Sequence, residues 1–144
     1  MIIATHRRAS FDYDITKTYE AGVALKGYEV KAARAGKMNI SSAFVAVRGR
    51  KAFLINASIE PYQPKNTPDS YDPKRTRALL LHRDEMSELR GHADAGLTIL
   101  PLKVYTKGRH LKLEVGVGRI RKKVDKRDLI RRREAVREMR SRTR

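Results

Sequence analysis

Gly27-Tyr28-Glu29-Val30-Lys31 holds the residues with the clearest catalytic potential. A Glu-x-Lys pair on a strand, with an upstream acid such as Asp12 or Asp14, outlines a metal-dependent nuclease site. Two carboxylates would hold Mg²⁺ and the lysine would assist the attacking water. Glu-x-Lys is also common in charged chains, where both charges are solvated or paired. That plainer reading, or a strand in contact with RNA, is preferred here. His6, His82, His92 and His110 are scattered, without the spacing of a metal site. No serine lies in a Gly-x-Ser-x-Gly elbow. Gly116 and Gly118 flank Val117, but phosphate-cradling loops need a longer glycine pattern. Neither a metal nor a cofactor is expected, and the chain is not read as an enzyme.

Basic residues beside aromatic rings offer a different chemistry. Arg7-Arg8 with Phe11 and Tyr13, Arg75 and Arg77 after Tyr71, and Lys103 with Tyr105 set cations next to rings. Such pairs grip phosphates and stack bases. The competing reading puts each ring in the core and each arginine on a solvated face. The overall charge weighs against it. Lys and Arg number 33 against 16 Asp and Glu, a formal net charge of +17 on 144 residues. Self-repulsion on this scale opposes compaction unless a polyanion neutralises it, so nucleic acid or an anionic membrane surface is the first partner to consider. There is no Cys, which removes disulfides, thiolate zinc and Cys nucleophiles and suits a reducing cytosol. No apolar run approaches the roughly 18 residues of a membrane span. The first charges follow a very short apolar patch, the wrong order for a secretory signal. A cytoplasmic polyanion-binding monomer is expected, with no membrane partner.

The elements that must position these residues read mainly as strands. Phe53, Ile55, Ala57 and Ile59 alternate on one face, opposite Asn56, Ser58 and Glu60. Phe44-Val45-Ala46-Val47 precedes them, with a turn at Arg48-Gly49-Arg50. Leu100, Leu102 and Val104 alternate along one strand and Leu111, Leu113, Val115 and Val117 along the next, joined at Thr106–Arg109. Gly27–Ala33 reads as a further strand. Thr16–Leu25 reads as a helix, with Tyr19 and Val23 four apart and Thr16 as N-cap. Arg83–Arg90 reads as another, closed by Gly91. Short antiparallel strands, few helices and a basic surface predict an oligonucleotide-binding (OB-type) antiparallel β-barrel with flanking helices.

Charge divides the chain in two. Residues 1–118 carry 20 Lys and Arg against 12 Asp and Glu, a net of +8. Residues 119–144 carry 13 against 4, a net of +9. The second segment buries too little apolar surface to offset an ordering entropy of roughly 1–2 kcal/mol per residue. The expectation is a body over 1–118 and a basic C-terminal tail over 119–144, loose when free. Asp125 offers a helix start, and the tail is suited to folding on its partner.

Several strings in order resemble the SmpB family of SsrA-binding proteins. They are Asp12-Tyr13, Thr18-Tyr19-Glu20-Ala21-Gly22, Leu25–Lys31, Arg34-Ala35-Gly36-Lys37 with Asn39, Asp72-Pro73, Arg75-Thr76-Arg77, Leu79–His82, Pro101–Tyr105 and Asp125-Lys126-Arg127. The resemblance implies an RNA-binding adaptor of trans-translation, the route of bacterial ribosome rescue. It implies binding to the tRNA-like domain of transfer-messenger RNA and delivery to stalled ribosomes. The tail would contact small-subunit RNA at the decoding centre and become helical in the empty messenger channel. By this resemblance Glu29, Lys31, Arg34, Lys37 and Asn39 belong to the RNA-facing region. With the basic and aromatic positions, the expected RNA-binding set adds His6, Arg7, Arg8, Tyr19, Arg75, Arg77, Lys103 and Tyr105. The expected ribosome-binding tail residues are Lys122, Lys123, Asp125, Lys126, Arg127, Ile130 and Arg131. The chain departs from the family pattern at His6, Phe11, Ala32-Ala33, Ile120 and Val124. Two other readings stay open: a generic RNA-binding or ribosomal protein of the same barrel type, and the small Mg²⁺-dependent nuclease.

Overall fold

A computed structural model describes residues 1–142. The elements run β1 (Ile2–Thr5), α1 (Ala9–Asp12), β2 (Tyr13–Val23), α2 (Gly27–Arg34), β3 (Met38–Asn39), β4 (Phe44–Arg48), β5 (Lys51–Ile55), β6 (Ser58–Ile59), β7 (Arg77–Leu80), α3 (Arg83–Asp94), β8 (Thr98–Lys107), β9 (His110–Ile120) and α4 (Lys123–Arg142). Seven strands form one antiparallel sheet in the order β1-β8-β9-β2-β7-β5-β4, and β3 pairs with β6 separately. The sheet curls until β4 lies against β8 and β3 against β1. The mainly-β, antiparallel, helix-flanked architecture expected from the sequence is present.

The β8–β9 hairpin is the spine. Leu111, Leu113, Val115 and Val117 alternate inward, and a two-residue turn at Gly108-Arg109 joins Lys107 to His110. β2 runs along the other edge of β9 from Tyr13 to Gly22, so the helix expected over Thr16–Leu25 is a strand. Nine residue pairs along β9 satisfy its backbone, and β-branched Ile15, Thr16, Thr18 and Val23 suit a pleated surface. Where β2 crosses β9, the backbones come unusually close: a Cβ on Gly118 would sit 2.3 Å from the Asp14 carbonyl oxygen. Only glycine fits there.

Gly27–Ala33, expected as a strand, is helix α2 instead. Glu29, Ala32 and Ala33 are buried at a spacing of three and four, a helical period. α3 runs past Gly91 to Asp94 and stops at Ala95-Gly96, where Gly96 adopts a φ of +83°. The long strand expected beyond Ala52 breaks at Asn56, whose φ is +65°. Ala52 and Leu54 face inward before it, Ala57 and Ile59 after it, so the alternation shifts by one residue.

Candidate nucleic-acid interface

The residues expected to face RNA divide into a buried set and an exposed set. Glu29 stands in the first turn of α2 with its side chain fully buried. Its Oε1 accepts from the Lys26 backbone N–H at 2.9 Å. Arg77, equally buried, donates from Nε and Nη2 to Oε2 at 2.9 and 2.7 Å. Arg75, with 28% of its side chain exposed, donates to both carboxylate oxygens. Arg77 also donates to the Ala57 carbonyl at 2.8 Å and the Pro73 carbonyl at 3.0 Å. The Tyr71 hydroxyl donates to the Ile59 carbonyl at 2.8 Å and accepts from Arg77 Nη2 at 3.0 Å. One carboxylate thus gathers α2, β7 and the 71–77 loop.

Electrostatics follow from this packing. Burial pushes the Glu29 carboxyl up, but donation from Arg75, the Lys26 N–H and Arg77 outweighs it and holds the group down at about 2. Burial raises the Tyr71 phenol to about 12. Glu29 therefore presents no open carboxylate to a metal or to RNA, which corrects its expected place at the RNA-facing surface. Arg77 is corrected in the same way. The nuclease outline assumed a strand, where residues i and i+2 share a face; on α2, Glu29 points inward and Lys31 is exposed. Among the described residues no group of three His, Asp or Glu is placed to hold a metal ion.

Tyr19 also belongs inside. It is 6% exposed, and its hydroxyl donates to Glu88 at 2.7 Å and lies 3.2 Å from His92 Nε2. Its ring packs between β2 and α3 and offers no stacking face.

The remaining residues, exposed or half-buried, fall on several surfaces. Lys31, Arg34, Lys37 and Asn39 follow one another along α2 and β3, all exposed. Arg34 Nη2 donates to the Arg109 carbonyl at 3.0 Å, and Asn39 accepts from the Ser41 N–H at 2.8 Å. On the sheet, Lys103 pairs with Glu114 at 3.4 Å and lies 5.7 Å from the Tyr105 ring centroid. The Tyr105 hydroxyl donates to Glu20, which Lys107 also holds at 3.1 Å. Burial first, then Glu20, raises the Tyr105 phenol to about 12.

The N-terminal segment and the tail meet. Arg8, Lys126 and Arg133 surround the Phe11 ring at 5.1, 5.7 and 5.9 Å from its centroid. Asp12 accepts from Lys126 at 3.1 Å and from Arg8 at 3.4 Å. Donation from Lys126 is the main reason that its carboxyl lies below the usual range. Arg7, Arg127, Ile130 and Arg131 are exposed, and Lys122 lies at the junction of β9 and α4. The side chains of Lys123 and Asp125 lie outside the described residues, as do Thr143 and Arg144.

Sequence reasoning missed a cleft beside Arg7. His6, Arg7, Arg8, Ser41, Ser42 and Phe44 line it, with Asp12, Tyr13 and Ala43. In the sequence Phe44 is the first apolar residue of a strand, indistinguishable from core. Only the sheet order shows that β4 is an edge strand and leaves Phe44 47% exposed. Asp12, as an anchor for α4, carried a weak signal: it is one of few acids in a basic N-terminal stretch.

Comparison with known proteins covers both body and tail. Residues 3–144 match the family model described as SmpB protein. An SsrA-binding protein of Microcystis aeruginosa is 46% identical over 139 residues, covering 96% of this chain and 90% of the relative. The SsrA-binding protein of Chloroflexus aurantiacus is 45% identical over 96% of this chain and 87% of its own length. That of a Geobacillus species is 46% identical over 96% and 89%. A chain in a solved structure described as "tmRNA-SmpB: a journey to the center of the bacterial ribosome" superposes with a TM-score of 0.68. It is 40% identical, and the match covers 89% of this chain and 94% of that one. The chain belongs to the SmpB family.

Proposed function

We propose that this protein is the RNA-binding adaptor of trans-translation. It binds the tRNA-like domain of transfer-messenger RNA and delivers that RNA to stalled ribosomes in the cytoplasm. The observation that carries the reading is the family match running through the β body and the basic tail together, residues 3–144. The body supplies the RNA-binding surface. Its accessible candidates are Arg7, Arg8, Lys31, Arg34, Lys37, Asn39, Lys103 and Tyr105. Glu29, Arg75 and Arg77 contribute by fixing α2 and the 71–77 loop, and so the position of Lys31 and Arg34. The chain acts by binding rather than catalysis, since the one carboxylate with nuclease-like spacing is saturated by arginines.

The tail, 119–144, is the ribosome-contacting part. α4 buries little: Val124, Val136 and Met139 are 66%, 49% and 69% exposed. A helix so exposed is free to exchange the body for ribosomal RNA in the decoding centre and messenger channel. The test is to purify the protein from cells and sequence the bound RNA, then repeat with residues 119–144 deleted. Transfer-messenger RNA is expected to dominate both samples, while tagging of stalled nascent chains is lost with the tail. A broad mixture of RNAs, or cleavage of RNA in Mg²⁺, would overturn the adaptor reading. Normal tagging without the tail would overturn the division of labour.

A further inference from the structure

We propose that the cleft between the β1–α1 segment and the 41–44 loop receives one unpaired nucleotide, its base against Phe44 and its phosphate on Arg7. The proposal rests on the RNA-binding reading above and names a subsite of it. The cleft encloses about 460 Å³, room for one nucleotide. A second cleft of about 470 Å³ shares Arg7 and Ser41 with the first. A single strand crossing Arg7 would run from one to the other.

Three features of the cleft point to a nucleotide. Phe44 is an exposed ring on an edge strand, beside cations, as base-stacking platforms are. His6 Nδ1 is buried and has no hydrogen-bond partner among the described residues. Buried polar atoms are nearly always partnered, and a turn of the imidazole into the cleft would bring this one to a base edge or ribose hydroxyl. Ser41 and Ser42 add hydroxyls that donate and accept, and Arg7 meets no carboxylate among the described residues. Asp12 also lines the cleft, but Arg8 and Lys126 already hold its carboxylate. A paired base hides both faces in the stack, so the ring selects an unpaired one.

The test uses the full chain and a single-stranded RNA hexamer carrying 2-aminopurine, alone or annealed to its complement. Wild type should quench the fluorescence and prefer the single strand. Phe44→Ala should abolish the quenching and weaken binding of the hexamer about tenfold. Its salt dependence should not change, because no phosphate contact is removed. Phe44→Tyr should keep both quenching and affinity. Unchanged quenching and affinity in Phe44→Ala would overturn the subsite but leave the adaptor reading intact, because that reading rests on which RNA is selected. Crosslinking with 4-thiouridine then tells the source of the nucleotide. Crosslinks within residues 41–44 to the tRNA-like domain or to small-subunit ribosomal RNA support the subsite; none with either overturns it.

Discussion

Around Glu29, two guanidinium groups converge on one carboxylate inside the fold. Along the N-terminal segment and α4, guanidinium groups stand in solvent with few carboxylates to meet them. Arg77 has no exposed side-chain surface, while Arg7 and Arg131 are open. The residue type is the same, and the counter-charge decides the role. A buried guanidinium with five acceptors is spent on the fold. An exposed one without a carboxylate keeps its charge for a polyanion. A net charge of +17 therefore measures the demand for anions, but it does not locate the surface that meets them.

The comparison breaks first at Glu29. Glu29→Gln leaves two converging arginines with no counter-charge, one of them fully buried. The expected cost is about 3–5 kcal/mol of stability. In a chain of this length that lowers Tm by about 10 °C or more, read by calorimetry. Arg131→Gln in α4 should change stability by no more than about 0.5 kcal/mol. Equal effects at the two sites would erase the distinction between the regions.

Acid should act through the same carboxylate. Its folded-state pKa of about 2 lies below the ordinary 4.5, so its contribution is complete above pH 4.5. That contribution is lost as the pH falls from there toward 2. Urea midpoints measured across this window should decline in the wild type and decline much less in Glu29→Gln. A wild-type profile that stays flat would mean that the arginines do not stabilise the ionised carboxyl.

At the exposed region the readout is affinity. Charge reversal at Arg34 or Lys37 should weaken binding to the tRNA-like domain about tenfold. It should also flatten the salt dependence by about 0.7–0.9 per lost phosphate contact. Filter binding across a salt series measures both, and an unchanged slope removes that face from the interface. The smallest effect belongs to Asp12→Asn, which removes the negative charge that holds Lys126. Amide exchange in the first turns of α4 should rise a few-fold, with the body unaffected. No rise would mean that the Phe11 ring alone seats the helix.

The regions also differ in how legible they were. The β8–β9 hairpin was readable because Leu111, Leu113, Val115 and Val117 alternate over a full strand with a glycine turn between. β2 was not, because Tyr19 and Val23 happen to stand four apart. Its β conformation comes from pairing with β9, about 95 residues away, which no local window contains. α2 misled in the opposite direction. Reading it as a strand put Glu29 and Lys31 on one face and created the outline of a metal site. The helical spacing of Glu29, Ala32 and Ala33 is the signal that marks Glu29 as buried and in need of partners. Arg77 reads as a phosphate contact because the sequence shows its charge but not the glutamate that buries it. The surface lysines and arginines were legible as a set, since net charge survives any error in secondary structure. Phe44 was not, because an edge strand is a property of the whole sheet.

The close crossing of β2 over β9 carries a consequence for how this gene can vary. At Gly118 a side chain of any size would collide with the Asp14 carbonyl. Every missense change reachable by one base from a glycine codon adds at least a Cβ. The codon therefore tolerates synonymous drift alone, while its neighbour encoding exposed Arg119 can wander. In a library of all single substitutions, position 118 should be an empty column next to a populated one. The join between body and tail is thus fixed in the genome at a single codon, whatever the tail beyond it becomes.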